Sequence, residues 1–286
     1  MKLGLVLEGG AMRGMFTAGV LDVMMEEGLT DFDGAIGVSA GACFGCNIKS
    51  LQHGRTVRYN LRFCRDWRYA SFRSLFETGD LYGADFCYDQ IPFRLDPFDV
   101  QTFSKNPMKF YCVCTDLETG RPVYKRIHTG EGEEMQWIRA SASMPLVSRP
   151  VEIGGRLLMD GGISDSVPLR AFERKGYERN VVVLTQPEDY VKKPQKSMPL
   201  LRLALRAYPE TVRDLETRYI RYNRASAYIK SQEEAGRVFV IRPEAPLEIS
   251  SVEHDPAELV RVYELGRAVM KKRLEGLEEF MGRDRA

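Results

Sequence analysis

The chain has 286 residues, with 41 lysines and arginines against 40 aspartates and glutamates, so its formal net charge is +1. This balance excludes the strong positive field by which a protein attracts nucleic acid over its whole surface. No apolar run approaches the ~18 residues that a membrane-spanning helix requires. The length suffices for one large domain with a substantial core.

The first ten residues, MKLGLVLEGG, contain one lysine and an apolar run of five residues. A signal peptide has an apolar region of ~7–15 residues followed by a cleavage site, and this stretch has neither. We therefore expect a cytoplasmic protein, with peripheral contact to a membrane left open.

Apolar periodicity predicts alternating strands and helices in the first fifty residues. Residues 2–8 and 34–39 are short apolar runs, which predict two buried strands. Apolar residues recur at helical spacing over 13–27 and are followed by Gly28, which predicts a helix that ends there. Residues 40–51 predict a second helix, whose small side chains would allow close packing on a sheet.

Residues 51–108 break this alternation, because they are rich in arginine, tyrosine and phenylalanine and contain three scattered prolines. We interpret this segment as a partly helical insertion and a candidate cap over a pocket. The elements predicted after it are, in chain order, a hairpin at 109–127, a helix at 132–144, a hairpin at 151–162 with its turn at Gly154-Gly155, a strand at 180–186, a helical region at 198–234 broken at Pro209, a strand at 237–243 and a helix that begins at Asp255-Pro256.

Strands and helices alternate at both ends of the chain. This pattern predicts a three-layer α/β/α sandwich with a mainly parallel central sheet. The sequence has no internal repeat, low-complexity tract or linker, so we interpret residues 1–286 as a single domain.

A glycine-rich loop, LEGGAMRG at residues 7–14, follows the first predicted strand. Glycines between a strand and a helix let backbone N–H groups point into one concavity, where the helix N-terminus adds positive potential. Such a loop suits either a phosphate or a developing oxyanion. It matches neither the G-x-G-x-x-G dinucleotide fingerprint nor the Gly-Lys-Ser/Thr of a P-loop.

Ser39 lies in the stretch GVSAG at residues 37–41, which has the G-x-S-x-G spacing of a nucleophile elbow. An apolar strand precedes it and a helix of small residues follows, so the serine hydroxyl would lie at a sharp turn and at a helix N-terminus. This context favours a catalytic serine.

Asp160 follows another apolar strand and is succeeded by Gly161 and Gly162. An Asp-Gly pair is by itself a common turn. The presence of the other two motifs favours a catalytic role for Asp160. A carboxylate at a strand end, on a backbone without bulky neighbours, can approach another group closely.

The order GG-x-[RK]-G, G-x-S-x-G and DGG resembles the patatin-like phospholipase family. The resemblance extends from Leu3 to about Pro187 and includes the blocks CTDLETGRPVYKR and RASASMPLVSRPVEIGGRLLMDGGISDSVP. It implies a patatin-like fold and a serine acyl hydrolase of phospholipase, lysophospholipase or esterase type. Such an enzyme cleaves lipid acyl esters through an acyl-enzyme.

The resemblance also implies roles for individual residues. Ser39 matches the nucleophile, and Asp160 matches its partner in a Ser–Asp dyad. Ala11 stands where many members have a third glycine, and we expect its N–H to serve only if its backbone φ is negative. The positions implied for the oxyanion hole are Gly9, Gly10, Ala11 and Arg13.

Two alternatives stay open. The first is a Ser39–Asp160–His254 triad, which would satisfy the Ser, Asp, His order of α/β-hydrolases. The second is a nucleotide- or phosphate-binding module that uses GGAMRG as an anion nest and Ser39 as a structural residue.

No cofactor and no metal are expected, and the partner is a lipid or acyl-ester substrate rather than nucleic acid. Cys43 and Cys46 form a C-x-x-C, but zinc would need a second such motif or a histidine pair. We interpret both as small apolar side chains of a buried helix. The oligomeric state is left open.

Arginines recur at three- and four-residue steps at the start of the insertion. A helix would place them on one stripe, and aromatic side chains follow them closely. This mixture suits the interface of an anionic membrane, and the alternative is a solvated helix face paired with acidic residues. The arginines of this stripe are Arg55, Arg58, Arg62 and Arg65.

Overall fold

A computed structural model describes residues 1–282, and an eight-stranded sheet forms its centre. The strands are β1 (Lys2–Leu7), β2 (Gly34–Val38), β3 (Lys109–Asp116), β4 (Pro122–Ile127), β5 (Val151–Ile153), β6 (Arg156–Asp160), β7 (Tyr177–Val183) and β8 (Val238–Ile241). The sheet order is β5-β6-β3-β2-β1-β7-β8, and β4 also pairs with β3.

Helices cover both faces of this sheet. Short 3-10 helices at Ala11–Arg13 and Gly161–Ile163 follow β1 and β6, and a π-helix spans Phe86–Leu95. The α-helices are α1 (Gly14–Glu26), α2 (Ala40–Lys49), α3 (Arg55–Phe63), α4 (Phe72–Thr78), α5 (Val100–Lys105), α6 (Glu133–Ser141), α7 (Leu169–Arg174), α8 (Met198–Ala204), α9 (Pro209–Glu234) and α10 (Pro256–Met281).

Alternate residues of the central strands enter two separate hydrophobic clusters. Leu5 and Leu7 of β1 pack with α1, α2 and α10, whereas Val6 packs on the other face with Phe172 of α7 and Ile229 of α9. Successive side chains of a strand point to opposite faces, so each face of the sheet needs its own helical layer. The predicted three-layer α/β/α class is therefore confirmed.

The sheet is mixed rather than uniform. Strands β3, β2, β1, β7 and β8 are parallel neighbours, and β4, β5 and β6 pair in antiparallel fashion. All five residues of β2 are buried, as expected for a parallel strand covered on both faces. The predicted hairpins at 109–127 and 151–162 and the helix break at Pro209 are present.

Helices α1 and α10 cross at two glycines. A methyl group on Gly19 would lie 2.1 Å from the carbonyl oxygen of Tyr263, and one on Gly266 would lie 2.0 Å from the carbonyl oxygen of Phe16. Only residues without a side chain permit this approach of the two backbones. Through it, the last helix packs directly on the first.

The segment 51–108 is partly helical, as predicted, but its arginines do not form a free basic face. Arg55 is only 4% exposed and donates two hydrogen bonds to the carbonyl oxygen of Asp96. Arg58 makes a two-pronged contact with the Asp96 carboxylate at 2.7 and 2.8 Å, and Arg62 donates to the carbonyl oxygen of Leu95. These contacts hold the end of the π-helix. Arg55 is buried and so does not belong to an exposed stripe, whereas Arg58, Arg62 and Arg65 are exposed, and lipid contact through these three stays a prediction.

Across residues 1–282, no helix combines the length and the apolar character that crossing a bilayer requires.

Candidate active site

Strands β2 and β6 meet end to end on one edge of β3. Val38, the last residue of β2, pairs with Val113, and Asp160, the last residue of β6, pairs with Cys114. Because β2 runs parallel to β3 and β6 runs antiparallel to it, their carboxyl ends face each other. This topology brings Ser39 and Asp160 together from positions 121 residues apart (160 − 39) in the sequence.

Ser39 occupies a strained turn between β2 and α2. Its backbone has φ 55° and ψ −125°, a conformation that residues with side chains seldom adopt. The N–H of Ser39 donates to Ser141 Oγ at 3.0 Å, and the Ser141 hydroxyl donates to the carbonyl oxygen of Val113 at 2.6 Å. The sequence pattern predicted the elbow, whereas the supporting Ser141 lies on α6 and was not identified.

The two glycines of the G-x-S-x-G motif are required by close backbone contacts. A methyl group on Gly37 would lie 2.4 Å from the carbonyl oxygen of Gly41, and one on Gly41 would lie 2.5 Å from the carbonyl oxygen of Leu7. The elbow is thus packed against its own turn and against β1.

Asp160 is held by several hydrogen bonds at the end of β6. Its Oδ1 accepts from the N–H of Gly162 at 2.7 Å, and its carbonyl oxygen accepts from Thr115 Oγ1 at 2.8 Å. Gly161 has no room for a side chain, because a methyl group there would lie 2.2 Å from the carbonyl oxygen of Val113. The DGG motif therefore seats the carboxylate tightly against β3.

The second carboxylate oxygen of Asp160 is buried and has no hydrogen-bond partner in residues 1–282. Burial raises the pKa of Asp160, while the neighbouring Ser39 hydroxyl, the charge of Arg218 and the Gly162 amide lower it. The strand register places Ser39 and Asp160 at adjoining strand ends, although no hydrogen bond of good geometry joins their side chains. Catalytic hydrogen bonds commonly close only when substrate is bound.

The glycine-rich loop lies directly against the elbow. A methyl group on Gly9 would lie 2.7 Å from the carbonyl oxygen of Val38 and 2.8 Å from Ser39 Cβ. In the described part of the chain, no acceptor takes a hydrogen bond from the N–H groups of Gly9, Gly10 or Ala11. These amides are free to bind an oxyanion next to Ser39 Oγ.

Ala11 does not meet the backbone condition that we set from the sequence, since its φ is 48°. The condition was too strict, because alanine can hold this left-handed conformation at a cost of about 1–2 kcal/mol, and its N–H has no acceptor among residues 1–282. Arg13, the basic residue of the loop, extends alongside Gly10 and donates a long hydrogen bond to Thr185 Oγ1 at 3.5 Å.

Ser39 and Asp160 line a cavity of about 540 Å³. Gly9, Gly10, Ala11 and Arg13 line it as well, so the cavity contains every site residue expected from the sequence. Much of its apolar wall comes from the segment 51–108, from α6 and from the loop that follows α6. The apolar and aromatic lining includes Tyr59, Tyr69, Tyr82, Tyr88, Ile91, Phe98, Ile138 and Met144.

None of the three histidines lines the cavity. His254 Nδ1 lies 2.6 Å from the carbonyl oxygen of Cys64, and His53 pairs with Glu26. The backbone N–H of His128 donates to Glu134. No imidazole is therefore placed between Ser39 and Asp160.

The thiols of the C-x-x-C motif are unreactive by position. Burial raises the pKa of Cys43 to about 12 and that of Cys46 to about 11, so both stay protonated at neutral pH.

The cavity lining includes charged and polar residues that were not identified from the sequence, among them Glu8, Lys192, Arg218 and Tyr222. Glu8, which is 3% exposed, accepts hydrogen bonds from the Thr185 N–H at 2.6 Å and from Tyr222 Oη at 2.7 Å. Lys192 and Arg218 line the same wall. Lys192, Arg218 and Tyr222 lie 30 or more residues after Gly162 (192 − 162), and no local sequence pattern connects them to the DGG motif.

The sheet, the elbow and the DGG turn have the arrangement that the patatin-like resemblance implies. A family model described as patatin-like phospholipase matches residues 5–173, and the chain belongs to this family. A second model, described as a domain of unknown function, DUF6363, matches residues 208–282.

Among curated proteins, the chain is similar to the uncharacterized protein YjjU of Escherichia coli (strain K12), with 29% identity over 93% of this chain and 75% of that protein. It is also similar to lysophospholipase NTE1 of Debaryomyces hansenii, with 27% identity over 64% of this chain. The chain spans only 12% of that fungal protein. A solved structure, VipD from Legionella pneumophila, is similar with a TM-score of 0.48 and 12% identity, covering 96% of this chain and 67% of that one.

Proposed function

We propose that the protein hydrolyses lipid acyl esters through a Ser39–Asp160 dyad. Ser39 Oγ attacks the acyl carbonyl carbon, and its proton passes directly to the Asp160 carboxylate. The ester C–O bond then breaks, and Asp160 returns the proton to the leaving alcohol. In the second half, Asp160 takes a proton from water, whose oxygen attacks the acyl-enzyme. The bond between the acyl carbon and Ser39 Oγ then breaks, and Asp160 returns this proton to Ser39 Oγ. The fatty acid is released, and both Ser39 and the Asp160 carboxylate are regenerated.

The free amides of the glycine-rich loop are proposed to bind the oxyanion of both tetrahedral intermediates. The loop lies against Ser39 Cβ, so an oxygen on the attacked carbon would be near the N–H groups of Gly9, Gly10 and Ala11. Removal of one such donor typically slows catalysis by ~10²–10³-fold. Arg13 supports the site with positive charge at the same loop.

The observation that carries the proposal is the meeting of β2 and β6 on β3, which holds a strained serine beside a buried carboxylate. The absence of histidine from the cavity wall favours the dyad over the Ser39–Asp160–His254 triad. The aromatic wall from residues 51–108 supports the role of that segment as a cap over the acyl chain.

Covalent labelling tests this proposal most directly. A fluorophosphonate should label Ser39 in the wild-type protein, because only an activated serine attacks the reagent. The Ser39→Ala variant should lose both the label and the hydrolysis of a nitrophenyl ester. Peptide mass spectrometry would locate the label.

Ser104→Ala provides a matched control, since Ser104 is an exposed serine on α5 outside the cavity. This variant should label and hydrolyse like wild type. Equal labelling of Ser39→Ala and wild type would leave the anion-binding module as the better explanation of the site.

We also propose that the cap contacts membranes through α4. Phe72 and Phe76 lie one helical turn apart and are 84% and 92% exposed. Arg73 lies between them and stacks over the Trp67 ring at 4.0 Å. Exposed aromatic rings with guanidinium groups suit the headgroup layer of a bilayer. The chain continues from α4 to Leu81, which lines the cavity.

Vesicle sedimentation tests this contact. The double variant Phe72→Ser/Phe76→Ser should bind vesicles containing anionic phospholipid at least about tenfold more weakly, because it loses two large apolar side chains from the interface. Leu203→Ser, which removes a 64% exposed leucine from α8, is the matched control and should bind like wild type. Unchanged binding of the double variant would refute this docking face.

A further inference from the structure

Three cationic side chains meet in the wall of the cavity that contains Ser39. Arg13 comes from the loop after β1, Lys192 from the segment between β7 and α8, and Arg218 from α9. None of the three forms an ion pair with a carboxylate within residues 1–282. Cations in a partly dehydrated wall are unfavourable unless an anion offsets them.

Helix α9 holds two of these cations in place. Arg218 Nε donates to the carbonyl oxygen of Gly162 at 2.5 Å, next to the proposed catalytic carboxylate. The backbone of Lys192 is clamped by Asn223, which accepts from its N–H at 2.9 Å and donates to its carbonyl oxygen at 3.0 Å. Lys192 Nζ lies 4.7 Å from the ring centroid of Tyr222. Both cations are therefore positioned by protein contacts and directed to the cavity.

The negative charges nearby do not balance this cluster. Glu8 and Asp160 are the two carboxylates that line the cavity. A fourth cation of the lining, Arg55, is paired with Asp96 at 3.4 Å and is therefore left out of the balance. The other three cations against two carboxylates leave an excess of one positive charge (3 − 2). The Glu8 oxygens accept hydrogen bonds from Thr185 and Tyr222 rather than from a cation. One bound anion would therefore neutralise the excess positive charge of this wall.

The pKa of Lys192 is consistent with this imbalance. Burial first, then the charges of Arg218 and Arg13, lower the pKa of Lys192 against the opposing charge of Glu8, and the result is a pKa of about 8. A bound anion beside the ammonium group would raise it again.

We infer that Lys192 and Arg218, together with Arg13, bind the phosphate of a lipid headgroup whose acyl ester reaches Ser39. Guanidinium offers a planar fork to phosphate oxygens, and the ammonium group adds a point charge. The same cavity has an aromatic and aliphatic wall for an acyl chain, which favours a phospholipid over free phosphate.

This inference rests on the proposed function and extends it to substrate choice. Lys192 and Arg218 lie outside the patatin-matched residues 5–173, and Arg218 lies within the second matched region, 208–282. The C-terminal part of the chain would therefore select the headgroup for the hydrolytic centre.

Binding of octyl phosphate, measured by isothermal titration calorimetry, tests the subsite without any need for hydrolysis. Octyl phosphate should bind wild type at least about tenfold more tightly than inorganic phosphate or octanol. Lys192→Met keeps the apolar stem and should weaken binding by about tenfold or more, as expected for loss of one charge-assisted contact. Lys193→Met changes an exposed neighbouring lysine and should bind like wild type.

Two results would overturn the inference. One is equal affinity of Lys192→Met and Lys193→Met for octyl phosphate. The other is an affinity for inorganic phosphate as high as that for octyl phosphate, which would mean that the cations bind free phosphate and not a lipid. Because octyl phosphate has no acyl ester, these results stand whether or not Ser39 is a nucleophile.

Kinetics test the same point in the active enzyme. The ratio of kcat/KM for 1-oleoylglycerol 3-phosphate to that for 1-oleoylglycerol should fall about tenfold in Lys192→Met and stay at the wild-type value in Lys193→Met. An unchanged ratio in Lys192→Met would overturn the headgroup assignment while leaving the hydrolase intact.

The charge of Lys192 adds a pH signature. Octyl phosphate affinity should fall as pH rises through about 8, where Lys192 loses its proton, and Lys192→Met should lack this step. A step of equal size in the variant would contradict the assignment to Lys192. The other titratable or charged groups that face Lys192 are Glu8, Arg13, Tyr190, Arg218 and Tyr222.

Discussion

The backbone of Ser39 stores strain that its neighbours hold in place. A conformation such as φ 55° and ψ −125° costs about 1–3 kcal/mol at a residue with a side chain. The hydrogen bond from the Ser39 N–H to Ser141 and the tight contacts of Gly37 and Gly41 leave the turn no relaxed alternative. The hydroxyl is thereby kept at the amino end of α2, beside Asp160.

Asp160 is also unfavourably placed for stability, and this leads to the first prediction. Because burial raises its folded-state pKa above the unfolded value, its stabilising contribution is present at low pH and is lost as pH rises through the folded pKa. At neutral pH the ionised carboxylate therefore lowers the free energy of unfolding. Asp160→Asn should raise the unfolding midpoint at pH 7 and reduce hydrolysis at least ~10²-fold, since it removes the proton acceptor.

Asp165→Asn is the control for this prediction. Burial also raises the pKa of Asp165, which accepts a hydrogen bond from Tyr124, but this carboxylate does not line the cavity. Asp165→Asn should retain activity. The unfolding midpoint and the rate of ester hydrolysis would be measured for both variants and for wild type. An Asp160→Asn variant that keeps wild-type activity would exclude the dyad.

At the scale of elements, local sequence patterns predicted most strands, helices and turns correctly. The apolar runs of β1, β2 and β7 and the glycine turn at 154–155 depend on short-range chemistry, which a sequence displays directly. The burial of Arg55 does not depend on short-range chemistry, because its partner Asp96 lies 41 residues away in the sequence. A helical stripe of arginines looks the same in sequence whether it faces solvent or a buried carboxylate.

The same limit applies to the site. The elbow and the DGG turn could be predicted because each is a local backbone requirement. Lys192 and Arg218 could not, since only the packing of α9 on the sheet brings them to the cavity. Both residues are too far from the motifs in the sequence for a local pattern to connect them.

The crossing of α1 and α10 gives the second prediction. Gly266→Ala would place a methyl group 2.0 Å from the Phe16 carbonyl oxygen, so the two helices must separate. We expect the free energy of unfolding to fall by about 1–3 kcal/mol, as for overpacking elsewhere. Chemical denaturation would measure it.

Gly276→Ala on the same helix is the matched control. A methyl group there lies 3.2 Å from the Phe239 ring, a contact that a small ring shift relieves. This variant should be neutral or gain up to about 1 kcal/mol from helix propensity. Equal destabilisation by the two substitutions would mean that the crossing glycines carry no special packing role.

For the whole molecule, the two family-matched regions share one sheet and one core. Strand β8, from residues 208–282, pairs with β7, and α10 of the same region packs on α1. We therefore predict a single cooperative unfolding transition, consistent with one domain over residues 1–286. Differential scanning calorimetry should give equal calorimetric and van't Hoff enthalpies. Two resolved transitions would instead indicate that the regions are separate folding units.

The end-to-end meeting of β2 and β6 means that one strand, β3, fixes the positions of both Ser39 and Asp160. Val113 and Cys114 are consecutive, so the spacing between the proposed nucleophile and the proposed base is counted in whole residues along that strand. A slip of β6 by one residue would move Asp160 by about 3.4 Å and turn its side chain to the opposite face. Gradual drift of this distance is therefore barred, whereas the chain between the two strands can lengthen or shorten freely. The segment 51–108 and the hairpins can therefore change in evolution while the separation of Ser39 and Asp160 does not.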